Sequence, residues 1–163
     1  MQPRHIYLAG FDVFRADARA QGEHLKQLCA DLGLIGQYPL DNQVPADLSG
    51  RAAAQWICQQ NLAMLQRCDA VLANLNTFRG FEPDSGTVFE VGMAVALGKP
   101  VWAYFTPAGT LREQVPHDAD GFDAQGYQVE DFALPRNLML ACTWAGYRAS
   151  PQQALAELAR QLM

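Results

Sequence analysis

At 163 residues, half of them hydrophobic and 18% charged, the chain is long enough to bury the core of one domain, residues 1–163, without disulfides or a metal. A net charge of −5 argues against gripping nucleic-acid phosphates, which calls for a basic face, whereas free bases and nucleosides make no such demand. Cys29, Cys58, Cys68 and Cys142 lack C-x-x-C spacing and the three histidines are scattered singly, so neither a metal site nor a cofactor is expected. No run approaches the ~20 apolar residues of a membrane span, and Met1–His5 shows no apolar leader core, which makes a cytoplasmic protein the expectation.

In chain order, Ile6-Tyr7-Leu8-Ala9-Gly10 reads as a first buried parallel strand, with Phe11-Asp12-Val13-Phe14 as the loop at its C-terminal edge. Leu25, Leu28, Cys29 and Leu32 recur at helical spacing and define a helix over about 15–32, stopped by Gly33. Leu34 to Pro39 is a weaker strand and 40–48, rich in Pro, Asp and Asn, a loop. Ser49 is the expected N-cap of a second helix running to Arg67. On or beside the apolar stripe of that helix lies Asn61, which is satisfied locally or aimed at a ligand.

Asp69 to Leu75 is the clearest strand. A helix opening near Asp84 or Ser85 and closing at Leu97-Gly98 follows it, and then a strand at Val101–Phe105. From Thr106 to Asp131 periodicity fails, which marks a functional flap or an interface. A short helix begins near Pro135, and Ser150-Pro151 opens a C-terminal helix striped by Leu155, Leu158 and Leu162. Strand and helix alternate, which calls for a parallel sheet with right-handed crossovers. A fifth strand is not evident; 127–129 and 144–148 are both weak candidates.

The stretch from Phe78 to Gly92 draws the chemistry together, because a loop between a strand end and a helix start is where open α/β sheets bind ligands. From Ser85 to Gly98 the only charged side chain is Glu90, set among Val88, Phe89, Val91 and Met93. A carboxylate there needs a partner or a purpose. In the second turn of its helix the N-terminal partial charge favours the anion and opposes the desolvation that would raise its pKa. Gly86 and Ala94, four residues either side, leave a surface of small groups on which a flat ligand can lie. The plainer readings are a half-exposed helix glutamate, an Asp84 that serves only as N-cap, and a Tyr7 that is a core aromatic. Phe14, Phe78 and Phe81 stack a base or cover the core. Arg79, the one cation of the loop, binds a ligand or pairs with Glu82, pairing being its ordinary fate.

Taken together, Ile6–Gly10 with Asp12-Val13-Phe14, the run Cys68–Leu75, the block Phe78–Gly92 and Asn137-Leu138-Met139-Leu140 resemble the nucleoside 2-deoxyribosyltransferase family over nearly the whole chain. The resemblance implies a flavodoxin-like α/β fold, a five-stranded parallel sheet with helices on both faces. It implies an enzyme that exchanges the base of a 2'-deoxyribonucleoside for a free base with net retention, through an ester on glutamate. Glu90 matches the nucleophile, Tyr7 the hydroxyl that orients it and Asp84 the carboxylate that handles the base proton.

Substrate contacts are implied for Gly10, Asp12, Phe14, Asn61, Arg79, Ser85 and Gly86. Asn137 matches an asparagine lent to the 5'-hydroxyl by a neighbouring subunit, so at least a homodimer is expected. The partners are thus deoxynucleosides, free bases and a second copy, with no nucleic acid or membrane. Phe11 departs from the family pattern, which commonly has proline there. A related 2'-deoxynucleoside 5'-phosphate N-hydrolase, and a nucleoside-binding module without chemistry, are the alternatives.

Overall fold

The computed structural model describes residues 3–106 and 109–163. Strand β1 (His5–Ala9) is flanked by β2 (Ile35–Gln37) and β3 (Ala70–Asn74), and β4 (Val101–Tyr104) and β5 (Gly146–Arg148) follow, giving the order β2-β1-β3-β4-β5 with every pairing parallel. The register sets Tyr7 beside Val71 and Ala73 beside Ala103. Alternation along the strands divides the core. Ile6, Leu8, Ala70 and Leu72 pack beneath helices α1 (Ala18–Ala30) and α6 (Pro151–Leu162). Tyr7, Ala9, Val71 and Ala73 face α2 (Gly50–Arg67), α3 (Ser85–Ala96) and the short α5 (Leu138–Ala141). This is the flavodoxin-like arrangement, and its strand order reverses between β1 and β3.

Several sequence expectations need adjustment. The fifth strand that the resemblance implied lies inside one of the two weak candidates, 144–148, whereas 127–129 contributes only an isolated antiparallel bridge, Phe122 to Gln128. β5 eluded pattern reading because it is three residues long and opens on Gly146, where an added Cβ would lie 2.7 Å from the Trp102 ring. The first helix starts at Ala18 rather than 15. Ser49 precedes α2 but makes no side-chain capping bond.

Of the stretch 106–131, residues 107 and 108 lie outside the described residues, and the described residues fold around α4 (Leu111–Gln114) and tight turns. Thr110 caps α4, and the Asp118 and Asp123 carboxylates accept backbone N–H groups two and four residues on. All four cysteines are free, and burial pushes the Cys29 thiol up to about 12 and that of Cys68 to about 11. Among the described residues no helix is long and apolar enough to cross a membrane, and no cluster of His, Cys, Asp or Glu could hold a metal ion.

Candidate active site

The site lies at the carboxyl ends of β1 and β3, where the sheet order reverses. α3 begins at Ser85 because Asp84 caps it: its Oδ2 accepts the Thr87 N–H at 2.9 Å and the Thr87 hydroxyl at 3.0 Å. That start puts Glu90 in the second turn, pointing back across the sheet to Tyr7 in β1. The Tyr7 hydroxyl donates to Glu90 Oε1 at 2.5 Å. Tyr7 is wholly buried, so the carboxylate is held from below by a fixed phenol.

The electrostatics follow from that burial. Desolvation pushes the Glu90 carboxyl from its ordinary 4.5 up to about 7, the Tyr7 hydrogen bond pulls it down, and the nearby Asp84 adds a smaller upward push. The helix N-terminus does not hold Glu90 at an ordinary value, because burial outweighs it. Tyr7 moves upward too, first through burial and then through the Glu90 charge, which keeps it a protonated donor.

A cavity of about 350 Å³ opens above this pair. Its wall includes Gly10, Phe14, Asn61, Asp84, Gly86 and Glu90, so six of the anticipated positions converge. Gly86 and Glu90 lie one turn apart on it, whereas Ala94, expected to extend that small-residue surface, is buried in the core instead. Phe14 is 61% exposed, though its ring also stacks on Phe78 at 5.6 Å. Asn61 Oδ1 accepts from Asn42 Nδ2 at 3.4 Å, which leaves its own amide N–H groups uncommitted among the described residues. The opposite wall is formed by Pro39, at the end of the weaker strand candidate, by Leu40, Asn42 and Val44 from the stretch that reads in sequence as loop, and by Ile57 of α2.

The remaining anticipated positions lie off this wall. Asp12 is 4% exposed beneath Gly10, where its Oδ2 accepts Asn74 Nδ2 at 2.7 Å and the Tyr104 hydroxyl at 3.3 Å. A Cβ at Gly10 would lie 2.8 Å from that oxygen and 2.9 Å from the Asn74 Cβ, so the close approach requires glycine. Asn74 and Tyr104, which sequence reading missed, thus set the floor of the first loop.

Arg79 does not pair with Glu82. Its guanidinium sits 4.6 Å from the centroid of Phe78 and 5.6 Å from that of Phe14, and its backbone is left-handed at φ 54°. The Phe78 ring also stacks on Phe11 at 4.8 Å and on Phe14 at 5.6 Å. Phe11 therefore serves as an aromatic support for this loop.

Ser85 and Asn137 line a second, mostly apolar cavity of about 470 Å³ between α3 and α5, with Val88, Gly92 and Met139. Glu90 is absent from its lining.

The flavodoxin-like sheet thus sets a hydroxyl-held carboxylate and a capping carboxylate on the wall of one cavity. The chain belongs to the nucleoside 2-deoxyribosyltransferase family, whose model matches residues 6–139. The solved structure of 2-desoxiribosyltransferase from Leishmania mexicana is similar over 99% of this chain and 100% of its own, with 33% identity and a TM-score of 0.82. The uncharacterized protein C191.05c of Schizosaccharomyces pombe is 34% identical over 113 residues, 68% of this chain and 54% of that protein. The 5-hydroxymethyl-dUMP N-hydrolase of Rattus norvegicus is 37% identical over 81 residues, 48% of this chain and 45% of that protein. The match spans about half the length of these curated relatives.

Proposed function

We propose that the protein is a nucleoside 2-deoxyribosyltransferase acting through a deoxyribosyl ester on Glu90. The observation that carries this reading is the Tyr7–Glu90 pair. A half-buried carboxylate at the ligand end of the sheet, with Oε1 bound by a phenol, has Oε2 left to attack C1'. In the first step an Oε2–C1' bond forms as the bond from C1' to the base nitrogen breaks, through an oxocarbenium-like transition state. Asp84 gives the departing base its proton. Both Thr87 bonds fall on Asp84 Oδ2, so Oδ1 is the oxygen for that transfer. In the second step the incoming base yields a proton to Asp84 and its nitrogen displaces Glu90. Two inversions give net retention.

Phe14 stacks on the base and Gly86 clears space for the sugar. Asn137 belongs to the other cavity of its own chain, which supports its acting in the site of a neighbouring copy, at the 5'-hydroxyl. Similarity over the whole of the Leishmania mexicana 2-desoxiribosyltransferase favours transfer.

The second reading is hydrolysis of a deoxynucleoside 5'-monophosphate, favoured by the likeness to the rat N-hydrolase and by the Arg79 cation beside Phe14 at the rim. Against it, the wall of the Glu90 cavity carries no cationic side chain among the described residues.

The test is chromatography of products from deoxyinosine or thymidine incubated with and without free adenine or cytosine. The transferase makes a new deoxynucleoside only when acceptor is present. Free base and deoxyribose released at a rate indifferent to acceptor, with faster turnover of the 5'-monophosphates, would establish the hydrolase.

A further inference from the structure

Asn137 is an amide, with two N–H donors on one end and an acceptor oxygen on the other, and its use depends on which end faces the ligand. Its surroundings decide this. Asn137 Nδ2 donates to Glu130 Oε1 at 2.6 Å, while its Oδ1 accepts the Met139 N–H at 3.0 Å. A carboxylate only accepts and a backbone N–H only donates, so a flipped amide would meet a wrong partner at both ends. Glu130 Oε2 also accepts the Leu138 N–H at 2.9 Å, so one carboxylate binds both the asparagine side chain and the backbone that follows it.

Both halves of this clamp are anchored. Glu130 follows Val129, which is buried and whose N–H donates to the Gly121 carbonyl. Asn137 follows Arg136, 1% exposed, whose guanidinium donates to the Leu75 carbonyl, the Gln114 side chain and the Pro135 carbonyl and lies over the Phe105 ring. After Glu130 and Met139 have taken their bonds, Asn137 retains one N–H and one lone pair.

We infer that Glu130 is a positioning residue: it fixes the Asn137 amide with one N–H and one oxygen lone pair free to meet a sugar 5'-hydroxyl, which is both donor and acceptor. The turn-rich stretch after α4 is thereby part of the substrate site although no residue of it lines the Glu90 cavity. This inference rests on the reading of Asn137 given above.

The experiment compares Glu130→Ala, Glu130→Gln and Asn137→Ala on two substrates, deoxyinosine and 2',5'-dideoxyinosine, which lacks the 5'-hydroxyl, in transfer to adenine. Glutamine keeps the size of the side chain and loses the second acceptor oxygen, so it serves if the alanine variant misfolds. The expected result is a loss of about tenfold in kcat/KM on deoxyinosine for each Glu130 variant, carried chiefly by KM, with the 5'-deoxy substrate unchanged within about twofold. Asn137→Ala should show the same selectivity.

Equal losses on both substrates in Glu130→Gln would reduce Glu130 to a structural role and overturn the inference. So would selective loss in Asn137→Ala with full activity in both Glu130 variants. Equal loss on both substrates in Asn137→Ala would instead refute the 5'-hydroxyl assignment itself, and the role of Glu130 with it.

Discussion

Replacing Glu90 with glutamine tests the electrostatics and the chemistry in one variant. Burial moves the Glu90 carboxyl from 4.5 to about 7. Between those two values the folded chain holds a proton that the unfolded chain has released, so stability falls as pH rises through that window and levels off above it. At about 1.4 kcal/mol per pH unit, the ionised carboxylate costs the fold about 3 kcal/mol at pH 8 relative to pH 4. Glutamine keeps the size of the side chain and an oxygen to accept the Tyr7 hydroxyl, and it carries no charge. The variant is therefore expected to be more stable than the parent by up to about 3 kcal/mol at pH 8, which for a domain of this size is about 6–12 °C in Tm. At pH 4.5 the advantage should vanish, since Glu90 is then protonated in the folded chain.

Urea or thermal unfolding of both proteins at the two pH values measures this directly. Turnover, assayed on the same samples, should fall to background at every pH because an amide cannot open the glycosidic bond. A stability difference that is the same at pH 4.5 and pH 8, or a parent that is more stable at pH 8, would refute the claim that Glu90 is desolvated with an ionisation near neutrality. Retained turnover would refute its role as nucleophile.

Tyr7→Phe removes the one hydrogen bond that lowers the Glu90 pKa, so the acid limb of the kcat/KM profile should move to higher pH, with a loss of about tenfold or more at pH 7; an unmoved limb would mean the phenol does not bear on the carboxylate. Gly10→Ala drives a Cβ against Asp12 and Asn74 and should cost about 1–3 kcal/mol in urea unfolding while distorting the first loop; a neutral result would show that the floor gives way. Glu90→Ala, inactive alone, and Asn137→Ala, weakened on deoxyinosine, should together gain activity on deoxyinosine when mixed under conditions that exchange subunits, since about a quarter of the sites in randomly paired dimers have both residues. No recovery after exchange is verified by mass would place Asn137 outside the neighbour's site.

What the sequence disclosed and what it withheld separate along a physical line. Features decided by neighbours a few residues apart were legible. β3 showed itself as a continuous apolar run, and Asp84 as a cap because its partner is Thr87 in the next turn. Glu90 stood out because it was the single charge on an apolar helix. Features decided by residues far apart were not. Asp12, expected to contact substrate, is instead buried and bonded to Asn74 and Tyr104, 62 and 92 positions away, partners that no spacing rule could supply. The far wall of the cavity was hidden for a different reason. Pro39 to Val44 carry no periodicity, and a segment with no repeating pattern gives no sign of which side faces a ligand.

Arg79 shows why charge pairing is a weak guide at a loop tip. Glu82 is three residues away, yet with the backbone at Arg79 left-handed the guanidinium lies over Phe78 and Phe14 and makes no ion pair with it. An exposed ion pair contributes little against water, about 0–1 kcal/mol. A guanidinium laid on two rings gains a comparable amount and keeps its edge N–H groups available for a ligand. The same stack includes Phe11, whose ring packs on that of Phe78. The departure at that position and the free cation at the rim are thus parts of one column of rings, and a change at Phe11 should alter how the site treats a charged 5' group before it alters the chemistry at Glu90.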